Sequence, residues 1–165
     1  VFAAYPHAVV VNSFSKELSL AGERIGYLAV HPEAQDAAQI LAAAAAINSM
    51  SVVNAPSLFQ RVVATVPGAG VDVSAYRRRR DRMCAVLAEA GYEFVRPEGA
   101  FYLFPKSPIA DDVRFTRLLK EERILVSPGR AFGAPGYFRI SYAVPEAVIT
   151  GSLEGFRRTL EKALG

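Results

Sequence analysis

One lysine, two serines and an arginine fall within Ser13-Phe14-Ser15-Lys16-Glu17-Leu18-Ser19-Leu20-Ala21-Gly22-Glu23-Arg24-Ile25-Gly26, at the end of an apolar run. Those residue types make a small chemical kit. An amine attacks a carbonyl once it has lost its proton, and partly dry surroundings ease that loss. A guanidinium fork and two hydroxyls together hold a phosphate dianion well. Arg24 follows Lys16 closely enough for a folded loop to bring it back beside the amine, with Ser13 and Ser15 at hand. Spacing alone also fits a surface lysine and a structural arginine.

A second cation, Arg139, stands in the otherwise apolar alternation Tyr137-Phe138-Arg139-Ile140-Ser141-Tyr142-Ala143. A guanidinium there is costly unless it meets an anion. A strand holds it rigidly enough for bidentate capture of a planar carboxylate. An internal ion pair with Asp111, Asp112 or Glu146 is the other solution.

The elements that must carry these residues follow from pattern. The β-branched run at 8–11 predicts a buried strand leading into the Lys16 loop, and 25–31 predicts a second strand. Pro32 suits the first turn of a helix over 33–47, followed by a loop at 48–54 and a helix opened by Pro56. Pro67-Gly68-Ala69-Gly70 is the clearest break. Asp72 is placed to cap a long helix from 73 to about 90, which Gly91 ends. Short strands at 92–95, 100–104, 124–126 and 137–142 then alternate with helices at 111–122 and 146–164. The implied organisation is a unit over 1–71, a connecting helix over 72–91 and a unit over 92–165.

The chain has 165 residues, 52% hydrophobic and 21% charged, so it can bury a core. Much of its +3 charge comes from Arg77-Arg78-Arg79-Arg80. Four consecutive residues point all round a helix, which predicts a solvated surface and no nucleic-acid stripe. Cys84 stands alone, which suits a reducing cytoplasm. His7 and His31 lack partners at ligand spacing, so no metal site is expected. The longest apolar run, at 40–47, is too short to span a bilayer.

With these residues in view, 13–26 resembles the pyridoxal-phosphate attachment signature of class I aminotransferases of fold type I. The small residue three before the lysine, the Ser-Lys pair, the Gly before Glu-Arg and the closing Gly all match. The resemblance implies an α/β fold: the end of the pyridoxal-phosphate (PLP) large domain followed by an α+β C-terminal small domain. It makes Lys16 the Schiff-base lysine, which also moves the proton from the substrate's α-carbon. Ser13 and Arg24 match phosphate-binding positions, and Ser15 matches a small position beside them. Arg139 lies in a strand similar to the family's "RxSYA" strand, whose arginine binds the substrate α-carboxylate. Gly99-Ala100-Phe101-Tyr102 looks like the "GxF" strand whose aromatic lines the substrate pocket, although Phe101 serves equally well as core. Asn54-Ala55-Pro56, with Gln60, is similar to a segment on the dimer-facing side of the site. There Ala55 interrupts an Asn-Pro pair, and Asn54 is either a site contact or a turn residue. The loop Val126-Ser127-Pro128-Gly129, with Phe132-Gly133, resembles the prokaryotic aspartate-aminotransferase-like branch and reads as scaffold.

Family members are more than twice this long. The glycine-bearing phosphate loop, the ring stacked on the cofactor and the acid paired with its pyridine nitrogen have no counterparts here. The resemblance therefore implies the second half of a cytoplasmic, homodimeric enzyme, inactive as these 165 residues alone and completed by an N-terminal half. Site residues would be shared across the dimer interface. Such an enzyme moves an amino group between an amino acid and a 2-oxo acid. Alternatives on the same fold are a carbon–sulfur lyase or synthase, the sensor domain of a transcription regulator, and an inactive scaffold. No arginine stands near Ser49 and Met50, where animal-type aspartate enzymes carry one.

Overall fold

The computed structural model describes residues 1–165. The chain divides into two compact units, Val1–Val71 and Asp72–Gly165.

In the first unit, β1 (Val9–Ser13) and β2 (Gly26–Val30) pair antiparallel, with Val9 opposite Val30 and Ser13 opposite Gly26. The one-turn helix α1 (Phe14–Glu17) and a 3-10 turn (Ala21–Glu23) connect them. Helices α2 (Ala37–Ser51) and α3 (Ser57–Thr65) follow. The helix expected from residue 33 starts later because 31–36 already spends its backbone bonds on turns. The His31 ring accepts from the Glu33 N–H at 3.1 Å, and Asp36 is left-handed at φ 59°. At the other end α2 runs into the expected loop, where the Ser51 hydroxyl donates back to the Ile47 carbonyl at 2.7 Å. Little of this unit is sealed from water. Of its large or small apolar side chains only Ala8 and Ile25 are buried, while Val11 is 75% exposed and Met50 80%.

In the second unit, α4 (Val73–Glu89) begins at Asp72, whose carboxylate accepts from the Ser74 N–H at 2.9 Å. It stops at Gly91, which takes φ +89° as the Tyr92 N–H turns back to the Leu87 carbonyl at 2.9 Å. Strands β3 (Tyr102–Leu103), β4 (Ser127–Pro128) and β5 (Phe138–Ser141) form an antiparallel sheet in the order β3-β5-β4. Helices α5 (Asp112–Glu121), α6 (Glu146–Gly151) and α7 (Leu153–Leu164) complete the unit. Leu87, Phe115, Leu119, Phe138 and Ile149 are fully buried in its core. Tyr92 joins them, with ring centroids 5.8 Å from Phe138 and 5.5 Å from Phe156, and its hydroxyl donates to the Phe156 carbonyl at 3.0 Å.

Two expected strands do not form. Residues 92–95 contribute only single bonds, such as Glu93 accepting from the Lys106 N–H at 2.9 Å, and Val95 points into water. Leu125 is likewise 80% exposed, so pairing begins only at Ser127. The last helix breaks at Ser152, whose hydroxyl bonds the Ile149 carbonyl at 2.7 Å just after Gly151. The arginine run faces several directions. Arg78 meets Glu146 at 3.8 Å, Arg79 lies over the Tyr76 ring and Arg80 pairs with Asp81 at 2.8 Å. No helix is long and apolar enough to cross a membrane.

Candidate functional site

The β1–β2 connection carries Ser15 and Lys16 on α1 and Arg24 after the 3-10 turn, with Ser13 at the end of β1. Ser13 ends its strand in extended conformation, so its hydroxyl turns onto α1 and accepts from the Ser15 N–H at 3.2 Å. The same hydroxyl donates to Ser15 Oγ at 2.9 Å, which leaves the Ser15 proton directed elsewhere. A bond from the Phe14 N–H to the Ile25 carbonyl at 3.1 Å closes the base of the loop. Arg24 adopts φ 54°, ψ 45° and spends one guanidinium donor on the Ala21 carbonyl at 2.8 Å. Gly26 lets the two strands meet, because a Cβ there would run into the Asn12 carbonyl oxygen.

The sequence placed Lys16 in partly dry surroundings, but its side chain is exposed. The reason is local: α1 is a single turn at the tip of a two-stranded hairpin, and no buried residue lies on it. The donor set suits a phosphate ester that carries an aldehyde, since it combines hydroxyls and a guanidinium with an amine on one short segment. Behind the hairpin, α2 and α3 border a cavity of about 970 Å³ lined by Phe14, Ile25, Gly26, Asn54 and Gln60 among others. Asn54 therefore faces the same space as the hairpin residues, and its side-chain oxygen accepts from Gln60 Nε2 at 3.1 Å.

Arg139 and Phe101 belong to the second unit. The acids weighed as partners for Arg139 bind elsewhere: Asp111 and Asp112 hold Arg130, and Glu146 holds Arg78. Aromatic rings take their place. The guanidinium carbon lies 3.9 Å from the centre of the Phe132 ring and 4.4 Å from that of Tyr102. Tyr102 comes from β3 on one side of β5, and Phe132 from the turn after β4 on the other. The rings hold the flat guanidinium while its N–H edges form no hydrogen bond or ion pair within the chain. Half-buried cations so held are matched to an arriving carboxylate. Phe101 packs partly into the core, 6.2 Å from Tyr76 and 4.4 Å from Tyr102 between ring centroids, one ring removed from Arg139.

Tyr102 and Phe132 were not among the residues singled out from the sequence. Phe132 lies in a loop read as scaffold, and only the fold of Gly129–Phe132 into a 3-10 turn carries its ring to Arg139. Tyr102 reaches it through strand pairing: its register opposite Ser141 puts it on the face of β5 that bears Arg139.

Comparison with known proteins agrees over almost the whole chain. The family described as "Aminotransferase class I and II" matches residues 2–155. A probable aspartate/prephenate aminotransferase of Aquifex aeolicus is 39% identical over 168 aligned positions, covering 93% of this chain and 40% of that protein. The aspartate/prephenate aminotransferase of Thermus thermophilus is 36% identical, covering 95% of this chain and 42% of its own length. Among solved structures, an aminotransferase from Eubacterium rectale superposes with a TM-score of 0.84 at 39% identity, over 98% of this chain and 41% of the other. The chain thus spans about two fifths of the length of these relatives.

Proposed function

The chain belongs to the class I and II aminotransferases, and from that membership we propose that it works in an enzyme moving an amino group from an amino acid to a 2-oxo acid with pyridoxal 5'-phosphate. The observation that carries this reading is Arg139, held between two aromatic rings with its N–H edges uncommitted. When bound, the cofactor supplies an aldehyde for the amino group and a ring that withdraws electrons from the substrate α-carbon.

The chain's own residues divide the remaining work. Ser13, Ser15 and Arg24 hold the phosphate through hydroxyl and guanidinium donors. Arg139 binds the substrate α-carboxylate edge-on and so fixes the direction of the α-carbon–hydrogen bond. The Lys16 amine takes the proton from that carbon and returns a proton in the second half of the cycle. Phe101 and Asn54 are assigned to the substrate side of the site, Asn54 from the cavity wall it shares with Gln60. The exposed apolar surface of the first unit supports completion by the rest of the large domain and by a second copy in a homodimer. The solitary Cys84 is in keeping with the cytoplasm. Aspartate and prephenate, named for the relatives, are the donor and acceptor to assay first.

The test uses the whole protein that carries this chain. A visible absorption band and borohydride trapping are expected in the unaltered protein and are both lost in Lys16→Ala. Persistence of the two in that variant removes Lys16 from its role. Release of ammonia without any need for an oxo acid would assign a lyase instead.

A further inference from the structure

We infer that Asp112 and Arg130 are positioning residues for carboxylate binding: their ion pair fixes the turn Gly129–Phe132, and through Phe132 it sets the attitude of the Arg139 guanidinium. Their role depends on the carboxylate role proposed above for Arg139.

Asp112 is the first residue of α5 and is fully buried, yet it does not cap that helix. Asp111 does, accepting from the Val113 and Arg114 N–H groups at 3.1 Å each. The Asp112 carboxylate is turned to Arg130 instead. One oxygen accepts from the Arg130 backbone N–H at 2.8 Å, and the other from its Nε at 2.6 Å. A buried carboxylate is expensive unless its bonds are well made, and here both oxygens spend them on one residue. That residue precedes Phe132 by two positions.

The turn has no slack to absorb a change. The Gly129 N–H donates to the Tyr137 carbonyl at 2.8 Å, the Ala134 N–H returns to Gly129 at 3.0 Å, and a Cβ on Gly129 would collide with the Ala134 carbonyl oxygen. Phe132 itself is 46% exposed, so burial does not explain why its ring stays where it is. Its ring sits under Arg139. The charge on Asp112 thus holds a backbone N–H, the backbone holds a ring, and the ring holds the cation that meets substrate.

Using the holoenzyme that carries this chain, KM and kcat would be measured for Asp112→Asn, Phe132→Leu, the double variant and Arg139→Lys. The Kd of succinate, a carboxylate with no amino group, would be read alongside by calorimetry. Each of the first two changes is expected to raise KM and the succinate Kd about three- to tenfold, with kcat within about twofold, the scale of one lost cation–π contact. The double variant should be no worse than Asp112→Asn alone, since both act along one line of contacts. Unchanged constants in Asp112→Asn, or effects that multiply in the double variant, would overturn the inference. Should Asp112→Asn not fold, Arg130→Lys keeps the charge but loses the Nε bond, and wild-type constants there would overturn it equally. An unaltered KM and Kd in Arg139→Lys would instead remove the carboxylate reading itself.

Discussion

Gly26 lies directly across the antiparallel ladder from Ser13, and the space a Cβ would need there is filled by the carbonyl of Asn12. The strand that ends in Ser13 and the strand that follows Arg24 approach this closely only because position 26 has no side chain. Gly26→Ala is expected to destabilise the hairpin by about 1–3 kcal/mol, the usual cost of overpacking. It should weaken cofactor retention along with it, read by equilibrium dialysis of the holoenzyme. Unchanged retention and an unchanged melting curve would show that the ladder relaxes without moving Ser13.

Arg139→Lys preserves the charge on β5 but replaces a flat fork with a point charge that neither stacks on Phe132 nor grips a carboxylate bidentately. KM for the amino donor should rise about a hundredfold, while the protein's melting temperature stays close to its original value. Steady-state kinetics with two donors of different side chain would check that the loss is common to both.

The Arg130 guanidinium beside Asp112 holds that carboxyl below its ordinary value, with burial opposing and the Arg130 backbone N–H assisting. A depressed carboxylate stabilises the fold fully above its unfolded value and loses that stabilisation as the pH falls. Urea midpoints should therefore be flat above the ordinary aspartate value of about 3.9 and drop below it. Asp112→Asn should flatten part of the acid slope, although Asp72, Asp81 and Glu122 are depressed too and will keep the remainder.

Burial pushes the Tyr92 phenol well above its usual range, so ionisation in the fold is opposed. The associated stability is complete below the ordinary tyrosine value of about 10 and is lost as the pH rises past it. Tyr92→Phe removes the bond to the Phe156 carbonyl at a cost of about 1 kcal/mol, whereas Tyr92→Ala empties a site between three rings at about 3–5 kcal/mol. Denaturant titration of both variants separates the hydroxyl from the ring.

Elements whose signals are local were legible in the sequence. The Asp72 cap, the Gly91 stop, the Asp111 start of α5 and the valine strand before Lys16 each depend on a few adjacent residues, although that strand is not buried as expected, with Val11 pointing into water. Long-range pairing was not. Tyr92-Glu93-Phe94-Val95 has the composition of a strand, but a strand exists only where a neighbour supplies a ladder, and none runs alongside it. The same holds at the site. Arg139 announced itself as a cation in an apolar strand, but Tyr102 reaches it only by strand pairing across a long stretch of sequence, and Phe132, seven residues away, only by the 3-10 turn that precedes β5.

The uneven burial of the two units gives their backbone amides different fates in deuterated water. Residues 72–165 close around Leu87, Phe115 and Phe138, so amides there should exchange only when that whole unit opens. Residues 1–71 seal only Ala8 and Ile25, and amides of the β1–β2 ladder should exchange through small local openings. Slow exchange at Lys16 in a longer protein would then report cover that residues 1–165 do not supply.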